Sequence, residues 1–173
     1  MHDDHEKTHR DWRIPDELWE RIEPLLPPRK LHPLGCHRPR VEDRQAMDAI
    51  FCVLRTGCQW NALQATGLCS SSSAHRRFQE WTAAGVFLAL WTQGLVAYDA
   101  LKGIDWEWLA MDGAMTKAPR GGKKVGKNPT DRGKIGTKRS VLTDGGGVPV
   151  GLAVEGANRN DFKMVRATHR EDP

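Results

Sequence analysis

Apolar residues recur at helical spacing through the first hundred positions, and in short compact runs after that. In "IPDELWERIEPLLPP", Trp19, Ile22, Leu25 and Leu26 share one face, Pro15 and Asp16 suit a helix start, and Pro27-Pro28 stops the helix. A second helix is predicted over "VEDRQAMDAIFCVLRTG", with a buried stripe of Ala46, Ala49, Ile50, Val53 and Leu54 and a stop at Gly57. A third follows in "LCSSSSAHRRFQEWTAAG": the serine run offers N-cap oxygens, Phe78 and Trp81 face the core, and Gly85 closes it. A fourth, "VFLALWTQGLVAYDALKG", is apolar nearly all round and predicts burial or packing against a second domain. Residues 1–13 read as a disordered polar tail, and 29–40, rich in Pro, Gly, His and Arg, as a loop.

The texture changes after Gly103. "DWEWLAMD", "KRSVLTD" and "GVPVGLAVEG" read as three consecutive strands, the last two joined as a hairpin by "TDGGGVP". The first is separated from the second by a long basic loop over 117–139, and loops of that length are functional or disordered. "NDFKMVRATHRED" then starts a helix. The fold class is therefore α+β, with a helical domain over 14–102 followed by a strand-rich region over 105–173.

Composition narrows the classes. With 39% apolar residues and seven tryptophans, the chain can bury a core. It has no run of about 18 apolar residues, and its charged N-terminus does not resemble a secretory signal. The expectation is a soluble cytoplasmic protein without a membrane partner. Cys36, Cys52, Cys58 and Cys69 form no CxxC pair and read as reduced, mostly buried thiols. A metal site from His32, Cys36, His37 and a later cysteine is poorly spaced and is set aside.

Charge adds a partner. Residues 1–104 hold 13 basic and 13 acidic residues, whereas 105–173 hold 13 basic and 9 acidic. Within 117–139 the nine cations Lys117, Arg120, Lys123, Lys124, Lys127, Arg132, Lys134, Lys138 and Arg139 face a single acid, Asp131. Such a field favours a polyanion, nucleic acid above all; the plain alternative is a solvated basic loop. In the helical part, Ser71, Ser72, Ser73, His75, Arg76 and Arg77 stand at the leading end of the third helix, as in a helix-turn-helix domain reaching DNA. There the alternative is a helical bundle with solvated arginines.

Asp112 in "WEWLAMDGAMTKA" is the candidate for chemistry. Read at the end of a strand and followed by Gly113 and Ala114, it leaves room for a close approach. Metal-assisted phosphoryl transfer uses such carboxylates, but it needs two or three that converge. The alternative is an Asp-Gly turn, which the continuing "AMTKAPRGGKK" disfavours. Asp144 in "TDGGG" is explained as a hairpin residue, and Asp161 as a helix N-cap.

"LAMDGAMTKAP" and "GKNPTDRGKIGTKRSVLTDGGGVPVGLAVEGANRND" resemble the first half of the catalytic domain of bacterial insertion-sequence transposases with a DDE triad. "DELWERIEPLLPP", "HRPRVEDRQAMDAIFCVLRTGCQW" and "RRFQEWTAAGVF" are similar to the helical N-terminal region of the same family, so the resemblance spans about residues 15–166. It implies a ribonuclease H-like second part, incomplete here, with Asp112 as the first triad carboxylate and a magnesium ligand. It also implies double-stranded DNA at terminal inverted repeats as partner, and a nucleoid-associated location in a bacterium.

The family's second aspartate and its glutamate lie in later motifs that these 173 residues do not contain, and no triad role passes to Asp161. The chain thus reads as the N-terminal portion of a transposase. It would need the missing segment, from a downstream-frame product or a fused full-length transposase, to become competent; a homo-oligomer is a separate expectation. The alternative is a DNA-binding regulator or truncated remnant that occupies element ends without cutting.

Overall fold

The structure, a computed structural model, describes residues 13–29 and 40–170. Residues 1–12 of the predicted tail over 1–13, most of the loop over 29–40, and His32, Cys36 and His37 lie outside the described residues. Elements follow in the order α1 (Asp16–Ile22), a 3-10 turn (Glu23–Leu25), α2 (Asp43–Thr56), a 3-10 stretch (Trp60–Thr66), α3 (Ser71–Ala83) and α4 (Val86–Lys102). Then come β1 (Ala110–Lys117), β2 (Gly126–Lys127), β3 (Ile135–Thr143), β4 (Pro149–Gly156) and α5 (Asp161–Arg170). The result is a mixed helical and antiparallel-sheet protein of two compact units, which divide after Trp91. That division falls inside α4, whereas the change of sequence texture comes after Gly103. Among the described residues no single helix is long and apolar enough to cross a membrane.

The first unit is built on α2. Gly57 ends the helix at φ 68°, a left-handed conformation that glycine adopts without steric cost. Its apolar stripe buries Ala46, Met47, Ala49, Ile50, Cys52 and Val53. Leu54, placed in that stripe from sequence, is instead 59% exposed, because it follows Val53 round the helix to the solvent side. One core cluster joins Ile14, Ile22, Met47, Ile50, Trp81 and Val86, with Phe78 packed against it. Another joins Ala49, Cys52, Leu63, Leu68, Cys69 and Ala74. The segment before α1 is fastened to α2 by polar contacts. Asp48 Oδ1 accepts the Ile14 N–H at 3.0 Å, and Arg44 donates to the Ile14 carbonyl and to Asp16, both at 2.7 Å.

In the second unit β3 is the central strand, antiparallel to β1 on one side and to β4 on the other. The two-residue β2 pairs with Ile135 and Gly136, so the sheet has four strands, not the three read from sequence. The first strand also begins later and runs further than expected. Residues 104–107 fold into a turn, where the Trp106 N–H bonds the Ile104 carbonyl and the Glu107 N–H bonds Asp105. Gly113–Lys117, expected to leave the sheet, pair with Gly136–Ser140 instead. Asp112 therefore sits inside a strand and not at its end. Lys117, Lys138 and Arg139 likewise belong to strands, so the basic loop is shorter than 117–139.

The hairpin between β3 and β4 closes on Asp144, as expected. Its Oδ1 accepts the N–H groups of Gly146 at 3.0 Å and Val148 at 2.8 Å, and the side chain is buried. Helix α5 is capped by Asn160, whose Oδ1 accepts the Phe162 N–H at 2.9 Å. Asn160, not Asp161, is the cap.

α5 seats on one face of the sheet through Met164 and Thr168, each 1% exposed, and the Thr168 hydroxyl donates to Ser140 Oγ at 2.9 Å. The Thr168 carbonyl presses on Gly151 so closely that a side chain there would collide with backbone. Gly151→Ala is therefore expected to lift the end of α5 and lower stability by about 1–3 kcal/mol, the usual range for overpacking. Thermal denaturation checks it, and an unchanged melting temperature would contradict this packing.

Candidate nucleic-acid interface and carboxylate site

The leading end of α3 is organised by Ser70, whose Oγ accepts the Ser73 N–H at 3.3 Å and donates to Ser73 Oγ at 2.8 Å. Ser73 is thus engaged in the cap. Ser72, His75 and Arg76 are exposed on the helix, as is Gln79, which the sequence pattern did not single out. Positions 72, 75, 76 and 79 fall on one face by their three- and four-residue spacing, and that spacing was the signal that could have found Gln79. His75 packs edge-on against Trp60 with ring centroids 5.1 Å apart.

Arg77 corrects the expectation from sequence. It lies on the stripe of Ala74 and Trp81 and is 6% exposed, because positions three and four apart share the inward face. Its guanidinium donates to the Val41 carbonyl and to Glu80, both at 3.3 Å, and Nε lies 3.4 Å from Asp43 Oδ1. Glu80 also holds Arg40, at 3.1 and 3.2 Å. The network ties the start of α2 to α3, so Arg77 is a structural cation and not a DNA contact.

The basic segment is folded as an arm. Asn128 Oδ1 accepts the N–H and the hydroxyl of Thr130 at 2.9 and 2.8 Å, and its backbone N–H donates to Lys134 at 2.8 Å. The turn bends through Arg132, whose φ is 50°. Thr137 pins the other end by donating to the Lys124 carbonyl at 3.1 Å.

Four of the nine cations are engaged within the protein. Lys117 and Lys134 flank Asp131 at 3.3 and 3.7 Å, and Arg139 donates to Thr116 at 3.1 Å. Lys138 is 8% exposed and bound to Asp161 at 3.0 Å, which withdraws it from the set that can reach a partner. Arg120, Lys123, Lys124, Lys127 and Arg132 are exposed with no ion-pair partner among the described residues.

Asp112 is exposed in β1, opposite Val141. Its neighbour Gly113 faces α5: a Cβ there would come within 3.0 Å of Asp161 Oδ1. Side chains alternate along a strand, so Asp112 projects from the other face, as do Val141 and Leu152. Asp161 is thereby kept away from it. Among the described residues no group of three or more His, Cys, Asp or Glu could hold a metal ion. A lone carboxylate does not fit a two-magnesium site. Cys52 and Cys69 are free, and burial pushes both thiols up, which suits inert core residues.

Comparison with known proteins places this geometry in a family. Residues 14–91 match the family described as "Putative transposase of IS4/5 family". The chain is 39% identical over 118 residues to the "Insertion element IS402 uncharacterized 16.2 kDa protein" of Burkholderia cepacia, covering 67% of this chain and 80% of that one. It is 46% identical over 45 residues to the "Putative transposase for insertion sequence element IS402" of the same organism, covering 26% of this chain and 21% of that protein. No solved structure matches. The chain belongs to the insertion-sequence transposases of the IS4/5 family.

Proposed function

We propose that this transposase chain binds the terminal inverted repeats of its element and contributes Asp112 to the carboxylate set that cuts and joins DNA. The observation that carries the DNA-binding part is the sorting of the cations. Arg77 and Lys138 are buried in ion pairs, whereas Arg76, Arg120, Lys123, Lys124, Lys127 and Arg132 stand exposed, with no ion-pair partner among the described residues. Unpaired cations on a folded arm are arranged for phosphates. On this reading α2, the 3-10 stretch and α3 act as a helix-turn-helix domain. Ser72, His75, Arg76 and Gln79 face the groove, and the basic arm holds the backbone.

The second unit, on the same reading, is the opening of a ribonuclease H-like domain. The antiparallel run β1–β3–β4 followed by α5 supports it, as does the open sheet face that carries Asp112. Asp112 would be one ligand of a divalent-cation site, magnesium by family, whose other carboxylates come from a further segment or a partner chain. Nucleoid association would follow from DNA binding. That no metal-holding group surrounds Asp112 among the described residues favours a second reading, in which the chain occupies element ends without cutting.

The test is titration of an element-end duplex with the full chain across salt concentrations. Arg76→Ala, and Lys123, Lys124 and Lys127 changed together to Ala, are expected to weaken binding, with the salt slope shallower by about 0.9 for each phosphate no longer neutralised. Absence of wild-type binding at low salt would overturn the proposal.

A further inference from the structure

We propose that the outer face of α5, with Arg159 just ahead of it, is a further DNA-backbone contact surface, continuous with the basic arm. This extends the DNA-binding reading above and rests on it. Met164 and Thr168 turn inward to the sheet, which leaves Arg159, Phe162, Lys163 and Arg166 exposed on the solvent side. The spacing 162, 163, 166 draws the helical three into one stripe, and Arg159 stands in the turn just ahead of it. None of the three cations has an ion-pair partner among the described residues, and Asp161, the nearest acid in the helix, is occupied by Lys138 at 3.0 Å. Among the described residues the stripe is therefore a row of uncompensated positive charge.

Helix stability does not account for these residues. Lys163 stands in the first turn of α5, where the helix dipole favours acids and disfavours cations. Phe162 is 89% exposed, an aromatic ring left in water between cations. Both make sense on a surface that meets a polyanion with apolar deoxyribose between its phosphates. DNA fits that chemistry, with guanidinium and ammonium groups on phosphates and the ring against sugar.

The stripe is joined to the basic arm by direct packing. Gly126, the first residue of β2, lies so close to the Asn158 side chain that a Cβ could not be placed there without moving it. A Cβ on Gly156 would come within 2.9 Å of the Val125 carbonyl carbon and 3.0 Å of the Gly126 nitrogen. Lys127 and Arg159 are each the next residue along from this junction, so free charge continues from the arm onto α5. Because α5 covers the face opposite Asp112, DNA on this surface approaches from the other side of the sheet.

The experiment compares the full wild-type chain with Arg159→Ala/Lys163→Ala/Arg166→Ala, titrating an element-end duplex and an unrelated duplex over a salt series. Affinity is expected to fall alike for both duplexes, because phosphate contacts carry no sequence information. The slope of log affinity against log salt should become shallower by about 0.9 for each phosphate that the variant leaves unneutralised. The charge-preserving variant Arg159→Lys/Lys163→Arg/Arg166→Lys should bind as wild type, and the melting temperature should hold in both. If the alanine variant melts early, the single change Arg166→Ala is read in its place, with the same expectation on a smaller scale. Wild-type affinity and slope in the alanine variant, with the Lys123, Lys124 and Lys127 variant still impaired, would overturn this surface and leave the DNA-binding reading intact. Failure of the wild-type chain to bind either duplex at low salt would overturn both.

Discussion

Arg77→Ala is expected to destabilise the helical unit by about 1–3 kcal/mol, the cost of leaving buried hydrogen-bond partners unsatisfied. The guanidinium is 6% exposed and serves Val41, Asp43 and Glu80 at once. Its removal strips Asp43, at the first turn of α2, of a cation 3.4 Å away, and leaves Glu80 to Arg40 alone. A cavity also opens beside Trp81, one turn further along α3, so the packing suffers as well as the charge balance. Lysine would not restore the fork of hydrogen bonds, because an ammonium cannot reach three acceptors in a plane. Arg76→Ala, one residue earlier but exposed, should leave the unfolding curve where it is. Urea denaturation followed by far-ultraviolet circular dichroism separates the two. Equal unfolding midpoints for the two variants would contradict the assignment of Arg77 to the core.

The contrast between Arg76 and Arg77 shows where the sequence stops informing. Side by side in "HRR", they look equivalent, and their charge invites the same role. Only the inward phase of Ala74 and Trp81 tells them apart, and that phase is legible in the sequence. Local signals were dependable elsewhere. Gly57 and Gly85 ended helices, Ser70 from the serine run capped one, and Asp144 closed its hairpin with its own carboxylate. Each of these depends on a few neighbouring residues.

The strands were less legible because pairing, not propensity, decides their limits. "AMTK" has little strand character, yet it is drawn into β1 by pairing with Gly136–Arg139. The apolar "WEW" stays outside because 104–107 turns on its own hydrogen bonds. Lys138 shows the same limit. It reads as one of nine loop cations, but alternation in β3 turns it inward to Asp161. Asp112 stood out from sequence, although its setting inside a strand, on the uncovered face, needed the register.

Asp112→Asn is the other change of large expected effect. It keeps the side chain's shape but removes the negative charge that a divalent cation requires and turns one acceptor oxygen into a donor. Asp112 is exposed in β1 and holds no ion pair among the described residues, so folding and DNA affinity should be unaffected. If it is one of the carboxylates at the reacting phosphate, the chemical step should slow by roughly 10^4-fold, as when an essential catalytic group is removed.

The decisive measurement is transposition frequency in cells for an element whose transposase carries this segment, with Asp112 or Asn at that position, beside the end-duplex affinity of each purified chain. Transposition is expected to fall by about 10^4-fold with affinity unchanged. Transposition near the wild-type frequency in the Asn variant would contradict it.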